Sequence, residues 1–343
     1  MKKILLVIML LSFSVANFAG DKTRRGTSGA DQLLIPVGAQ SIASGGAFLS
    51  RITGVNSVYY NPAGLDLMSG TEALFDYMSY IADINLAYFA IGTQLGDFGS
   101  VALTYRTVDF GDIPVTTFEN PDGTGETYSP NFFVAGITYS KTVTDRVSAG
   151  VNFKIVNEEI MSASATGMAI DFGVQYRFGE NLSLAAAVKN IGSNMVYTGE
   201  DLKIRTEVPG SGYGSGNGVY QADAEPFQIP SYFELALAYD FNMNDQNDLA
   251  LGSTFRNNNN LQDEMMFGLE YGFMNVFFLR GGYNLLLKGS DPNNNYSSIY
   301  DYTFGAGVNY KTGDIGISFD YAFRNVKEFQ NANHVFTVKL SIE

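Results

Sequence analysis

His334 is the single imidazole in this 343-residue chain, and no nucleophile–base–acid set can be assembled around it. It opens the last of the strand-like segments described below, where a surface histidine with a structural role is expected. The chain has no cysteine, which removes a thiolate metal site, a cysteine nucleophile, a disulfide framework and a lipid-modified N-terminal cysteine. The stretch from Pro209 to Gly218 is rich in glycine and serine, yet no Gly-Lys-Ser/Thr follows and no helix opens after it. It reads as a flexible loop rather than a phosphate cradle. Asn257 to Asn260, and Asn293 to Asn295 with Asp291, have the composition of calcium ligands without the ligand spacing of a calcium loop. Those residues, like Glu119, Asp122 and Glu126 in a Gly/Pro-bearing loop, are expected to be solvated. No catalytic, cofactor-binding or metal-binding set emerges, so the chain is expected not to be an enzyme.

Lysine and arginine number 21 against 35 aspartates and glutamates, a net charge of −14. That balance argues against nucleic acid as a partner, because phosphate contacts need clustered cations. The aromatic content points elsewhere: 21 tyrosines and 26 phenylalanines stand in a chain with only 16% charged residues. Part of its surface is expected to face something other than water. Met1-Lys2-Lys3, the apolar run from Ile4 to Leu11 and the small residues of Ser14-Val15-Ala16 make a signal peptide over residues 1–16, with Ala19 as the alternative cleavage position. The run is too short for an anchoring helix, which needs about 20 apolar residues. The exported chain is then either soluble outside the inner membrane or a membrane β-barrel.

The elements decide between these. From residue 71 onward the dominant period is two: Tyr300, Tyr302, Phe304, Ala306, Val308 and Tyr310 share one face, while Asp301, Thr303 and Asn309 share the other. About fourteen such segments follow one another, over 71–80, 84–94, 98–109, 129–142, 145–157, 163–178, 181–190, 230–241, 247–256, 263–273, 275–287, 299–311, 313–324 and 333–343. Many reach the roughly nine to eleven residues that a membrane strand needs, against about five or six in ordinary domains. Short turns, such as Gly96-Asp97 and Gly313, mostly alternate with longer polar links over 110–128, 191–229, 257–262, 288–298 and 325–332. An up-and-down barrel predicts that sorting, with short turns periplasmic and long loops outside. An even strand number puts both barrel ends on the periplasmic side, where the exported N-terminal segment is expected to begin.

The aromatic face is expected outward, toward lipid, because hydrocarbon offers a backbone no hydrogen-bond partner and only a closed sheet can span it. The opposite face turns Arg106, Lys154, Asp171, Arg177, Lys189, Glu234, Asp240, Arg256, Glu270, Arg280, Asp301, Asp320, Arg324 and Lys339 inward. With both signs present, an interior network of paired charges is expected rather than a one-sign ion filter. Residues 21–70 do not alternate; Asn61 before Pro62 predicts a short helix over about 62–69. A barrel of about fourteen strands has a lumen wide enough for a plug. The organisation expected is therefore a signal peptide over 1–16, an N-terminal hatch over 17–70 and a transmembrane β-barrel over 71–343: an all-β fold.

Ile35-Pro36-Val37-Gly38-Ala39-Gln40-Ser41-Ile42-Ala43-Ser44-Gly45-Gly46-Ala47-Phe48, followed by Asn61-Pro62-Ala63-Gly64-Leu65, resembles the N-terminal signature of PorV/PorQ family outer-membrane proteins. Those barrels are similar to the FadL-type fatty-acid transporters, which carry an Asn-Pro-Ala motif in an N-terminal hatch. Val188-Lys189-Asn190-Ile191-Gly192 and Ile229-Pro230-Ser231-Tyr232-Phe233-Glu234-Leu235 are weaker echoes. The chain departs from the pattern in ending Ser341-Ile342-Glu343 and in lacking arginine and methionine over 39–44. The resemblance implies fourteen strands, and a hatch motif of Gly38, Ala39, Gly45, Gly46, Asn61, Pro62, Ala63, Gly64 and Leu65. It implies an outer-membrane protein of a Gram-negative bacterium that binds or shuttles exported cargo, through cargo C-terminal domains, with type IX secretion components. The alternative is FadL-like transport of a hydrophobic ligand; outer-membrane lipid is a partner on either reading.

Overall fold

The computed structural model describes residues 26–207, 210, 216–287, 298–327, 329 and 331–343. The signal peptide, residues 17–25 of the expected hatch, most of the Gly/Ser stretch and Asp291 with Asn293–Asn295 lie outside them. Fourteen long strands form the wall: β1 (Thr71–Ser79), β2 (Asn85–Gln94), β3 (Ser100–Asp109), β4 (Asn131–Thr144), β5 (Val147–Ile160), β6 (Ala163–Phe178) and β7 (Leu182–Gly192). They continue as β8 (Tyr232–Asn244), β9 (Asn247–Asn258), β10 (Glu264–Phe273), β11 (Phe277–Leu286), β12 (Tyr302–Thr312), β13 (Ile315–Arg324) and β14 (Asn333–Ile342). Each pairs antiparallel with its neighbour in sequence, and β14 pairs with β1, from Thr71 opposite Ile342 to Ser79 opposite His334. The sheet closes into a barrel without a free edge, as the alternation requires of a wall that must cross hydrocarbon.

Connections sort by parity. At one end of the barrel lie 95–99, 145–146, 179–181, 245–246, 274–276 and 313–314, all short. At the other end lie 110–130, 193–231, 259–263, 287–301 and 325–332, together with the tight links 80–84 and 161–162. The short-turn end is periplasmic and the loop end extracellular. Outward side chains form the apolar band: Phe75, Leu103, Ile137, Phe153, Met168, Leu279 and Phe319 are all exposed. Near the loop end, Tyr302, Phe304, Tyr321, Phe323 and Phe336 stack outside the barrel, with ring centres 4.6 Å apart for Phe304 and Phe323. His334 joins this belt, exposed, with Nδ1 2.9 Å from the Tyr321 hydroxyl. These rings sit where amphipathic aromatics favour a membrane interface. The fold is an outer-membrane β-barrel.

The inward face is buried by the chain's own N-terminal segment. It holds a short 3-10 turn (Asp31–Leu34), a single-turn α1 (Ala39–Ala43) and two further 3-10 turns (Gly54–Ser57 and Pro62–Leu67). The last is the helix expected at Asn61-Pro62, but it is 3-10 and ends at Leu67, because Met68 is already extended toward β1. Leu33, Leu49, Val55 and Leu65 of the segment are fully buried. Burial of such a side chain stabilises by about 1.5–3 kcal/mol, so the plug is an integral part of the fold. Where the exported segment begins, at residues 17–25, lies outside the described residues. Ser28 bridges Gln228, and the Gly29 amide donates to the Gln228 carbonyl at 3.1 Å. Gln228 belongs to the 193–231 loop, so the described plug starts at the extracellular end. It approaches the periplasmic end at Arg51 and again at Asp66, which accepts from the Ser100 hydroxyl and the Thr142 amide at 2.6 Å each.

Candidate functional site in the plugged lumen

Wall glycines set how closely the plug can lie. A Cβ at Gly173 would stand 1.9 Å from Asn61 Oδ1, and one at Gly150 would stand 2.4 Å from the Pro62 backbone. The Asn61 side chain thus occupies the space of missing wall side chains: its oxygen accepts from the Ala63 amide at 3.1 Å, and its nitrogen donates to the Val174 carbonyl at 3.2 Å. Pro62, Ala63, Gly64 and Leu65 are buried beneath it. Gly252, Gly268 and Gly282 stand opposite one another across β9, β10 and β11. Over this bare track runs the backbone of Ser44 to Phe48; a Cβ at Gly282 would meet the Gly45 nitrogen at 2.3 Å. Gly38 and Ala39 lie on the far side: the Gly38 amide donates to Asp76 at 3.0 Å and the Ala39 amide to Thr337 Oγ1 at 2.7 Å. Gly46 approaches Met266.

The inward charges form connected groups. Arg51 of the plug pairs with Asp240 and Glu270 at 2.6 Å each. Arg280 pairs with the same Glu270 and with Asp320 at 2.5 Å each. This chain of five charges borders a polar cavity of about 500 Å³ that opens at the periplasmic end and is also lined by Arg177, Lys339 and Phe278. Asp171 accepts from Lys154 at 2.6 Å and Lys189 at 3.0 Å. It sits at a bulge where Lys189 and Asn190 both oppose it, Asn190 with φ 58°. The Asn190 amide donates to Asp171 at 2.8 Å, its side chain donates to the Pro230 carbonyl at 2.9 Å, and Lys189 donates to the Tyr59 carbonyl. The echo over 188–192 is therefore a joint between wall, plug and extracellular loop. Arg256 pairs with Glu234 at 2.8 Å and Glu264 at 3.3 Å, and Lys339 with Glu72 at 3.2 Å.

Three of the expected interior charges, Arg106, Arg177 and Arg324, are in no ion pair among the described residues, and Arg177 is exposed. Arg106 donates to the Ile35 carbonyl at 3.0 Å, and Arg324 lies against tyrosine rings. Asp301 sits at the extracellular rim, bonded to Asn325 at 2.8 Å and Lys327 at 3.2 Å. Sequence reasoning did not single out Arg51, Glu72, Asp76 or Thr337. Glu72 and Asp76 alternate inward with Leu74 and Met78, a signal available in β1. Arg51 carries no such mark, because the plug has no period.

Around β1–β3 and β13–β14 an apolar cluster runs through the contact between plug and wall, interrupted by the polar contacts of Asp76, Thr337, Glu72 and Arg106 with the plug backbone. It runs from Tyr80, Ile84, Phe110 and Phe132 at the extracellular rim, through Met78, Leu86, Val108 and Val335 against Ile35 and Val37, to Val55, Leu65 and Ala102. A water-filled pore has a polar interior. Here an apolar stripe faces a charged half-wall. Among the described residues no cluster of three or more His, Asp or Glu side chains could hold a metal.

These features define a closed fourteen-stranded outer-membrane β-barrel of Gram-negative type whose lumen is filled by its own N-terminal segment. No protein-family model and no curated protein matches the sequence. Among solved structures the chain is similar to CymD, a monoaromatic hydrocarbon channel, at 13% identity and a TM-score of 0.55, covering 90% of this chain and 98% of that one. It is similar to the Pseudomonas putida toluene transporter TodX at 15% identity and a TM-score of 0.53, over 88% and 95% of the two chains. A Pseudomonas aeruginosa FadL homologue aligns at 12% identity and a TM-score of 0.52, over 90% and 98%. At such identities the likeness establishes a FadL-like barrel fold.

Proposed function

We propose that this chain is a non-enzymatic conduit for hydrophobic small molecules across the outer membrane. Residues 17–70 serve as its hatch, 71–343 as its wall and 1–16 as a removed export signal. The observation that carries the reading is the apolar seam between plug and β1–β3, a packed run of nonpolar side chains from the extracellular rim to Leu65 that a hydrophobic molecule would follow where plug and wall part. A ligand of this kind gains about 25 cal/mol for each Å² of apolar surface it removes from water, and a lumen built for ions or sugars would forgo that gain. The named substrates of CymD and TodX, monoaromatic hydrocarbon and toluene, support the same class. The test is binding of long-chain amphiphiles and alkylbenzenes to delipidated protein, with uptake into cells expressing it. Val108→Asp, which puts a charge into the stripe, is expected to abolish both; a wild type that binds none of these ligands overturns the reading.

A second reading, in which the barrel holds exported protein cargo as a PorV/PorQ-like member of a type IX system, draws support from the 193–231 loop. There Lys203–Glu207 pairs with Asn217–Gln221 in a ribbon that leaves Ile204, Val219 and Tyr220 exposed. Such a surface on a rigid scaffold suits partner binding. Deleting 205–222 and finding cargo release and anchoring unchanged would refute it.

A further inference from the structure

At the extracellular end, backbone hydrogen bonds run without a break from the wall to the plug. β7 ends at Gly192, opposite Ala169, so residues 163–168 of β6 stand above it with an open edge. The 193–231 loop takes that edge. The Ser193 amide donates to the Met168 carbonyl at 3.0 Å, and Thr198 and Gly199 pair with Ser164 and Ala163. The returning limb of the loop lies against the first: Met195 and Phe227 exchange both backbone bonds at 2.9 Å. Beyond it comes the plug, where the Gly29 amide donates to the Gln228 carbonyl at 3.1 Å and the Gln228 amide to the Thr27 carbonyl at 3.3 Å. The wall thus turns inward as a narrow ribbon whose last member is the plug's own chain.

Side chains pack where these segments meet. Met195 and Ile229 of the loop are buried with Ala30 and Leu33 of the plug and with Val156 and Ala165 of the wall. Glycines admit them: a Cβ at Gly167 would stand 2.5 Å from Met195, and one at Gly29 would stand 2.4 Å from the Phe227 ring. The two seams of the ribbon are unequal. Besides its backbone pairs, the loop is tied to the wall by the Asn190 side chain, which donates to the Pro230 carbonyl at 2.9 Å, and by the Tyr197 hydroxyl, which donates to Glu158 at 2.6 Å. Asp201 adds a bond from the Ser162 amide, also at 2.6 Å. The plug meets the loop through the two backbone bonds at Gln228 and the packing around Phe227. Single hydrogen bonds make similar net contributions, so the seam held by fewer of them parts first.

We propose that the 193–231 loop is a strap: fastened to the wall, it clamps the extracellular end of the plug at Thr27–Gly29, and the extracellular half of the lumen opens when the plug slips this clamp while the strap stays on β6. The inference concerns how the plug is held, whatever the barrel carries, so its readout is ion conductance and not ligand uptake. The chain has no cysteine, so an engineered pair has one way to cross-link, and bridge partners on neighbouring backbones lie within disulfide reach. Ser28→Cys with Gln228→Cys joins plug to strap; Ser164→Cys with Thr198→Cys joins strap to wall. Each full-length barrel is inserted in a planar bilayer, oxidised or reduced, and the urea concentration at which half of the barrels conduct is recorded. Oxidising the 28–228 pair is expected to raise that concentration by about 1 M or more, the scale of a disulfide divided by an ordinary urea dependence, and reductant should return it. Oxidising the 164–198 pair is expected to leave it unchanged, because that seam stays shut in the open state. Gly29→Ala, which drives a methyl into the Phe227 ring, should lower it. Heat-modifiable gel mobility verifies folding; if the 28–228 pair fails to fold or to cross-link, an unchanged midpoint in Gly29→Ala overturns the proposal. No shift on oxidising 28–228 overturns it, since the plug then opens without leaving the strap. An equal shift on oxidising 164–198 also overturns it, since strap and plug then lift off the wall together. Either result leaves the hydrophobic-conduit reading intact, which stands or falls on ligand binding.

Discussion

Removing Arg51 tests whether the ion pairs at the periplasmic end hold the plug shut. Among the described residues, Arg51 is the plug's one side chain paired to two wall carboxylates, Asp240 on β8 and Glu270 on β10, at 2.6 Å each. The two bonds differ in worth. Asp240 is 28% exposed and Arg51 30%, so that pair is screened and contributes about 0.2–1 kcal/mol. Glu270 is 5% exposed, and a hydrogen bond between charged groups there is worth about 1.5–3 kcal/mol. Glu270 keeps Arg280 at 2.5 Å after the loss, which holds the penalty to the lower part of that range. Arg51→Ala should therefore weaken docking of this part of the plug by about 2 kcal/mol, roughly a 30-fold rise in the undocked population. The assay is conductance across a planar lipid bilayer: the variant should spend roughly 30-fold more time in conducting states, by the same conversion. Arg51→Lys, a point charge that cannot fork, should fall between variant and wild type. Glu270→Gln should exceed Asp240→Asn. Wild-type conductance from Arg51→Ala, or the reverse order of the two acid variants, would refute the reasoning.

Gly173→Ala drives a methyl into Asn61 Oδ1, 1.9 Å from the ideal Cβ; a lowered unfolding temperature is expected, partly restored by adding Asn61→Ala, and no restoration would show that the clash lies elsewhere. Asp171→Asn strips Lys154 and Lys189 of their shared carboxylate; a loss of about 3–5 kcal/mol is expected for breaking a buried pair, read as a shift in the urea unfolding midpoint. Leu269→Arg on the exposed outer face of β10 should cost about 2–4 kcal/mol if that face meets the bilayer centre; a neutral result in refolding titrations into vesicles would place it in water. Asp301 lies outside the strands and its pKa is held below the usual carboxylate value: burial, the largest single influence, raises it, but bonds from Asn325, the Tyr302 amide and Lys327 together outweigh that. The rim contact is therefore complete above the ordinary carboxylate pKa and is lost as pH falls through the lowered one. Amide exchange at Asn325 should accelerate only in acid, and Asp301→Asn should abolish that dependence.

The barrel was legible because its signal is local. A side chain two residues away shares a face whatever lies across the sheet, so alternation such as Phe319-x-Tyr321-x-Phe323 reveals wall, lipid face and strand length without knowledge of any neighbour. Turn length does the same for sidedness. Asn61-Pro62 was equally readable as a helix start, since a cap acts within a few residues of itself.

What fills the lumen was decided at long range. That Asn61 rests on Gly173 and Pro62 on Gly150, or that Ser44 to Phe48 runs over Gly252, Gly268 and Gly282, depends on strands far away in the chain; a glycine in a strand looks the same beside a plug as beside water. The lumen charges were countable from sequence, yet their pairing was not: closure of the sheet and docking of an aperiodic segment join Arg51 to both Asp240 and Glu270. Period and turn chemistry act between near neighbours and are written in the chain itself, whereas close approach and charge pairing exist only once remote segments share space.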